Sequence, residues 1–454
     1  MRKHGSGHGG APASLVLPDG TVEDERCPAH LDVPAAHARH ARHSVLRVLA
    51  VAGPGLVVML ADTDAGSIIT AAQTGAYTGY ALLGLQLALI PILYIVQELT
   101  VRLGLVSGRG HGELIRERFG AVWAWVAVST LMVACLGALV TELSGIAGVG
   151  LMLGVPVWVS VTAVVALLTA VVWTGSYRSV ERIALLFGAF ELVFLIVAWR
   201  AHPSAAAVLA SLQRAPLGDH HLLLLAAANI GAVIMPWMVF YQQSAVVDKG
   251  LTVKELRSAR LDTAWGAILT QIIMASVLIA SAATLGRHVG NAPLATVQQI
   301  AAALTAVLGP VTGEILFMLG MVGAALVAAI VVSLTAAWGL GEALGYPRSL
   351  SHRPSEAPWF YGVYLAALTL AGLLVNSGVN LVNLTIAVEV MNALLLPLVL
   401  GFLYLLARTA LPAPYRLRGG YALVVGATLF LTSGVGVYAV LASLLPALPQ
   451  PPHW

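Results

Sequence analysis

The chain carries little charge. Asp, Glu, Lys and Arg make up 10% of its 454 residues, while hydrophobic residues make up 59%. A soluble globular domain carries about 25% charged residues, so this composition excludes an ordinary soluble protein and indicates that lipid is the main solvent. The net charge of +3 is small, and no basic patch is interleaved with aromatic residues. Nucleic acid is therefore not expected as a partner.

Cysteine is nearly absent, with only Cys27 and Cys135 in the chain. One lies in the N-terminal tail and the other within an apolar run, so neither a disulfide framework nor a cysteine metal motif is predicted. The first 43 residues also lack the apolar core of a signal peptide, so the first apolar run is expected to remain as a membrane helix. Because no nucleophile–base pair, phosphate loop or dinucleotide fingerprint is evident, the sequence predicts neither an enzyme nor a bound cofactor.

What the chain has instead is a series of long apolar runs. A membrane-spanning helix needs about 20 such residues, and eleven runs are long enough, which predicts one all-α transmembrane domain over residues 44–447 and a short C-terminal tail over residues 448–454. The runs lie near residues 45–73, 79–104, 120–147, 150–173, 181–200, 222–247, 262–286, 310–340, 358–376, 380–408 and 419–446.

The distribution of basic residues predicts how these helices are oriented. With the N-terminus placed in the cytoplasm, only Arg200, Arg214 and Arg287 of the 24 Lys and Arg residues fall in outer loops. Inner loops of membrane proteins carry an excess of Lys and Arg. The sequence therefore predicts a multi-pass protein of the cell (inner) membrane, with a cytoplasmic N-terminus and an extracytoplasmic C-terminus.

The first 43 residues form a tail rich in Gly, Ala, Pro and His, which is expected to be disordered and cytosolic. Two interpretations of its histidines remain open. They capture or buffer metal, or they are incidental to a polar tail. The six histidines are His4, His8, His30, His37, His40 and His43.

Two of the predicted helices carry residues that interrupt a helix. The first has two carboxylates and a glycine at mid-span, Asp62, Asp64 and Gly66, and the sixth has Met235 followed by Pro236. Proline removes a backbone donor and clashes with the preceding turn, and non-helical backbone at membrane depth is tolerated where it lines a cavity. Interrupted helices at matching places in two five-helix halves indicate an inverted-repeat transporter. We therefore expect five plus five helices with one added, working by alternating access.

Acidic residues inside the bilayer are candidates for function because burying a charge in lipid is costly. Glu142 in the third helix and Glu389 in the tenth are candidate proton or cation relays, and the alternative is a hydrogen-bonded structural carboxyl. A site built from Asp64, released backbone carbonyls and Met235 would suit a cation. The carboxylate supplies hard oxygen, and the thioether favours softer transition ions.

At these residues the chain resembles the NRAMP family of divalent metal transporters. The family hallmarks, Asp-Pro-Gly-Asn in the first helix and Met-Pro-His in the sixth, are here Asp64-Ala65-Gly66-Ser67 and Met235-Pro236-Trp237. Most of residues 45–408 can be placed in the family's order of helices. The matching stretch runs from Gly53-Pro54 to Gln73, Gly75, Gly79 and Tyr80, and it resumes at Arg116-Glu117-Arg118-Phe119 and at residues 230–244.

The resemblance implies an amino-acid-transporter-like fold and a metal site. Its implied ligands are the side chains of Asp64 and Met235, the backbone carbonyls of Ala61 and Ala232, and Ser67 at the place of an asparagine. Glu389 takes the place of a glutamine near the ion. The transported ion is then the substrate, and apart from that ion and the lipid bilayer no partner protein is expected.

The resemblance also implies a proton route, which this chain has altered. Glu142 corresponds to one acid of that route, a nearby second acid is replaced by Gly145, and Asp62 adds a charge beside the site. Two histidines of the sixth helix are replaced by Trp237 and Gln242. We therefore expect coupling to protons to be weak.

The predicted ion preference rests on opposing features. Met235 favours Mn²⁺ or Fe²⁺. Ser67 widens the site, and Asp62 with Glu389 makes it more acidic, which suits hydrated Mg²⁺, the ion of the NRAMP-related magnesium transporters. We expect import of Mn²⁺ first, with Mg²⁺ close behind. An amino-acid transporter on the same scaffold and a non-transporting metal sensor are the remaining alternatives.

Overall fold

The computed structural model describes residues 53–173, 177–212, 219–284, 294, 296–305, 309–346, 349–350, 352–378 and 380–444. The predicted N-terminal tail (1–43) and C-terminal tail (448–454) lie outside these residues. Seventeen α-helices and two short 3₁₀ turns, Ala189–Leu192 and Val253–Glu255, make up the regular structure of the described part. The helices are α1 (Pro54–Asp62), α2 (Ala65–Thr78), α3 (Leu83–Ser107), α4 (His111–Phe119), α5 (Ala121–Met152), α6 (Val157–Trp173), α7 (Tyr177–Gly188), α8 (Val193–Arg200), α9 (Ala205–Leu212), α10 (His220–Val233), α11 (Pro236–Asp248), α12 (Leu256–Thr284), α13 (Val297–Thr305), α14 (Pro310–Leu344), α15 (Pro358–Val375), α16 (Leu381–Thr409) and α17 (Gly419–Leu444).

The described residues confirm an all-helical membrane protein but not the count of eleven spans. Nine stretches are long and apolar enough to cross a bilayer, and α1 with α2 forms a bent pair that provides a tenth. The one remaining predicted span, the fourth (near residues 150–173), falls on α6, an apolar helix of 17 residues. Its length of about 26 Å is shorter than a hydrocarbon core of about 30 Å. The count of eleven therefore remains a prediction.

The predicted boundary between the third and fourth spans is wrong. The third span was expected to end near residue 147, but α5 continues to Met152, and α6 begins only at Val157. The helix runs through Gly148 and Gly150, and neighbouring side chains lie where a Cβ would be, Val297 at the first glycine and Ser160 at the second. Glycine does not end a helix where a neighbour needs close approach.

The helices pack so that the two interrupted ones lie inside. Neighbours are α5 with α14, α12 with α2 and α3, and α10 with α16 and α17. Small residues allow the closest approaches. A Cβ on Gly231 would collide with the backbone carbonyl of Glu389, and one on Gly145 would collide with Ala65. The backbone of α10 therefore approaches α16 closely, and the backbone of α5 approaches α2 closely.

Candidate functional site

The first helix is interrupted between Asp62 and Ala65, where α1 and α2 meet at a bend of 46°. Asp64 has extended backbone and caps α2, since its Oδ1 accepts a hydrogen bond from the Ser67 amide at 2.6 Å. In a continuous helix the Ala65 amide would donate to the carbonyl of Ala61. Here it donates to Glu142 Oε2 at 3.1 Å instead. The Ala61 carbonyl is thereby released from its helical donor.

The sixth helix is interrupted at Ile234 and Met235, between α10 and α11. The helical donor to the Ala232 carbonyl would be residue 236, and Pro236 has no N–H. The Ser67 hydroxyl donates to this carbonyl at 3.0 Å. Ser67 therefore joins the two interruptions directly, which sequence reasoning did not foresee because it placed Ser67 only near the ion.

Gly66 marks the place where acidic side chains converge. A Cβ at this position would collide with Glu389 Oε1 and would come within 3.3 Å of both Asp64 Oδ1 and Thr141 Oγ1. Only glycine leaves room for these oxygens. Glu389 is held by the Asn392 amide, which donates to its Oε2 at 3.0 Å, while its Oε1 accepts no hydrogen bond in the described part of the chain.

The acids around the first interruption are buried and have no basic partner among the described residues. Asp62 is 1% exposed and Asp64 is fully buried; both oxygens of Asp62 and Oδ2 of Asp64 accept no hydrogen bond from the described residues. The ion pairs within the described ranges involve Glu98, Glu117 and Glu181, so none belongs to this group. An unpaired buried carboxylate is costly, and a bound cation would relieve that cost.

Two further residues of the group were not singled out as site residues from the sequence. Glu191 lies in the 3₁₀ turn between α7 and α8, is fully buried, and is within electrostatic range of Asp62 and Asp64. Thr63 shares a hydrogen bond of 2.5 Å with Thr270 of α12. Their signal in the sequence was weak, because a single Glu or Thr within an apolar run gives no indication of what it faces.

Met235 is the N-cap residue of α11 at the second interruption and is 1% exposed. Its sulfur accepts a hydrogen bond from Trp237 Nε1 at 3.0 Å. Within the described residues no group of three His, Cys, Asp or Glu side chains is close enough to hold one metal ion. An ion bound here would therefore depend on one or two carboxylates completed by backbone carbonyls, a thioether or water.

A second polar centre, which was not predicted from the sequence, lies at the N-terminal end of α1. Asp262 Oδ2 accepts hydrogen bonds from the amides of Gly53 at 3.3 Å, Gly55 at 2.9 Å and Leu56 at 3.2 Å. Beside it, Lys249 and Glu181 form an ion pair of 2.8 Å. The carboxylate caps the positive end of the α1 dipole, and so fastens α1 to α12.

The fold and this site define a class: a multi-span membrane protein in which two interrupted helices meet at a buried, acidic centre. A family model described as "Natural resistance-associated macrophage protein-like" matches residues 55–442. The chain belongs to this family, Nramp, which confirms the resemblance drawn from its motifs.

Relatives and a solved structure agree with this placement. The chain is 29% identical to a divalent metal cation transporter MntH of Chromohalobacter salexigens over 62% of this chain and 68% of the relative. It is 25% identical to the MntH of Burkholderia ambifaria over 95% of this chain and 98% of that relative. The crystal structure of a manganese transporter of Eremococcus coleocola superposes with a TM-score of 0.70 at 19% identity, covering 90% of each chain. This similarity confirms the predicted fold class.

Proposed function

We propose that the protein is a secondary transporter that imports a divalent metal cation, Mn²⁺ before Fe²⁺ or Mg²⁺, by alternating access. The observation that carries this proposal is the joining of two helix interruptions, through Ser67 and Ala232, beside the buried Asp64, whose Oδ2 has no hydrogen-bond donor among the described residues. Released carbonyls and an unpaired buried acid attract a cation, and a link between two interrupted helices can change as they move. The names of the MntH relatives support the same cargo.

The proposed ligands are Asp64, the carbonyls of Ala61 and Ala232, and the sulfur of Met235. Ser67 would act on the ion through the Ala232 carbonyl that it holds, or through its own hydroxyl once that bond opens. Glu389 and Asp62 lie within electrostatic range of Asp64, and in their ionised forms they would add negative potential at the ion. The acids also argue against the amino-acid alternative, because they would repel the carboxylate of that substrate.

Uptake in proteoliposomes tests this proposal. Purified protein should move Mn²⁺ into vesicles faster than protein-free vesicles do, and Cd²⁺ should compete with it. A mixture of amino acids at millimolar concentration should leave uptake unchanged. If amino acids inhibited uptake, or if no dication entered, the proposal of metal transport would be wrong.

We further propose that coupling to protons is weak, because Trp237 and Gln242 replace histidines of the family's proton route. Glu142 would carry the proton if one moves, since it bonds the Ala65 amide beside Asp64. Internal pH and metal should therefore be recorded in the same vesicles. We expect Mn²⁺ uptake to change less than about twofold, or under ~0.4 kcal/mol, when an inward proton gradient is imposed. Stoichiometric acidification during uptake would contradict this.

Alternating access requires α1 to be released at its capped end, which is the end predicted to face the cytoplasm. Replacing Asp262 by Ala removes the acceptor of three amides, and a helix cap contributes about 1–2 kcal/mol. We therefore expect Asp262→Ala to speed maleimide labelling of a single cysteine at Val57→Cys, a buried position of α1, by about tenfold. The background would carry Cys27→Ala and Cys135→Ala.

Asp262→Asn is the matched control, because its side-chain oxygen can still accept one of these bonds while the charge is lost. In the Asp262→Asn protein, the cysteine at Val57→Cys should be labelled at a rate between those of the protein that keeps Asp262 and of Asp262→Ala. Equal labelling in all three proteins would mean that Asp262 does not hold α1 closed.

The place of the protein in the cell is part of the same proposal. We propose the inner membrane, with the N-terminus in the cytoplasm, from the distribution of Lys and Arg. The His-rich tail would then meet cytosolic metal. The alternative of a metal sensor rests on that tail alone, which lies outside the described residues.

A further inference from the structure

Helices α16 and α17 leave an open groove of about 460 Å³ between them, and none of the acids around the first interruption lines it. Its α16 side is the stripe Pro397, Leu400, Gly401 and Tyr404, spaced as residues on one helix face. Phe430 of α17 is 78% exposed beside it. The groove is therefore apolar and open to lipid.

Glycines shape this groove. A Cβ at Gly401 or at Gly434 would meet no atom within 4 Å, so both positions are open space that a side chain could fill. On α17 the lining runs from Gly426 to Val437, about 16 Å along the helix. This is roughly half of a hydrocarbon core of about 30 Å. The length of the groove along the helix therefore matches the thickness of one leaflet of the bilayer.

Positive charge lies at one end of the groove. Tyr404, which lines it, accepts a hydrogen bond from Arg408 at 3.5 Å, and the guanidinium lies 5.7 Å from the Tyr404 ring centre. Arg416 and Arg418 follow in the segment that connects α16 to α17, and the sequence has no Asp or Glu after Glu389. None of these three arginines belongs to an ion pair within the described ranges.

We propose that this groove binds one acyl chain of an anionic glycerophospholipid, with the lipid phosphate held by Arg408. A groove one leaflet deep, apolar along its length and basic at its end, matches a molecule with an apolar chain and a negative head group. The charge selects the anionic lipid, because juxtamembrane Lys and Arg each contribute about 1 kcal/mol of attraction to anionic membrane surfaces. The proposal does not depend on which ion the protein transports.

Native mass spectrometry of the purified full chain tests it, with palmitoyl-oleoyl phosphatidylglycerol and the matching phosphatidylcholine as probes. Wild type should retain one phosphatidylglycerol more tightly than phosphatidylcholine. Arg408→Gln should weaken retention of phosphatidylglycerol about fivefold, the equivalent of about 1 kcal/mol, and should leave phosphatidylcholine unchanged. Gly401→Leu combined with Gly434→Leu should weaken retention of both lipids, because the side chains fill the groove.

Matched controls come from other exposed positions. Arg118→Gln removes an exposed arginine of α4, and Gly362→Leu adds a side chain at an exposed glycine of α15 where a Cβ also meets open space. Neither should change lipid retention. Equal retention in wild type and in the Arg408 and glycine variants would overturn the proposal. So would a change of oligomeric state on filling the groove, which would assign this face to a second copy of the chain.

Discussion

Replacing Asp64 by Ala should abolish transport of Mn²⁺ and weaken its binding by at least about 100-fold, or roughly 2.7 kcal/mol. Asp64 is fully buried, and its Oδ2 accepts no hydrogen bond from the described residues, so this oxygen is available to an ion. Its Oδ1 also caps α2 through the Ser67 amide. Calorimetric titration of Mn²⁺ into the purified variant would measure the loss.

Two further variants separate charge from folding. Asp64→Asn keeps an oxygen that can cap α2 but removes the charge, and it should lose nearly as much affinity as Asp64→Ala while melting like wild type. Asp62→Asn should weaken binding less, because Asp62 is proposed to shape the potential without touching the ion. Undiminished Mn²⁺ affinity in either Asp64 variant would remove this residue from the site.

Replacing Met235 by Ala should change selectivity more than any other single substitution. A thioether binds Mg²⁺ poorly, because that ion prefers oxygen and holds its waters tightly. Removing the sulfur should therefore weaken Cd²⁺ at least tenfold, or roughly 1.4 kcal/mol, and weaken Mn²⁺ less. Uptake of Mg²⁺ should stay level or rise, since the site becomes wider. Competition of each metal against a tracer in wild type and variant gives the ratio.

The hydrogen bond from Trp237 to the Met235 sulfur provides a control for this experiment. Trp237→Phe keeps an aromatic ring and removes the N–H, so it frees a lone pair of the sulfur without removing it. Binding of Cd²⁺ should then be preserved or strengthened. Equal losses of Cd²⁺ and Mg²⁺ in Met235→Ala would mean that Met235 packs and does not bind. Selectivity would then rest on Ser67 and the acids, and Mg²⁺ would become the better candidate.

The interruptions of the first and sixth helices were predictable because their cause is local. Proline has no amide to donate, so the Ala232 carbonyl loses its helical partner whatever surrounds it. Asp64 and Gly66 are poor helix residues at mid-span.

The span count was less predictable. A helix shorter than the hydrocarbon core, such as α6, is hard to count as a span from its sequence, and the boundary expected near residue 147 lies inside α5.

The sequence by itself determined that this protein is an all-helical, multi-span membrane protein with two interrupted helices and acids at membrane depth. Composition, the length of apolar runs and the effect of proline on a helix are properties of short stretches of sequence, so they can be recognised without knowing the tertiary structure. It could not determine that Ser67 bonds Ala232, that Glu389 faces Gly66, or that Asp262 caps α1. The two residues of each contact are far apart in the sequence, by 165, 323 and about 207 positions respectively. Only the packing of α1, α2, α10, α12 and α16 decided them. Contacts at such separations depend on where helices cross and not on which residues are neighbours in the chain.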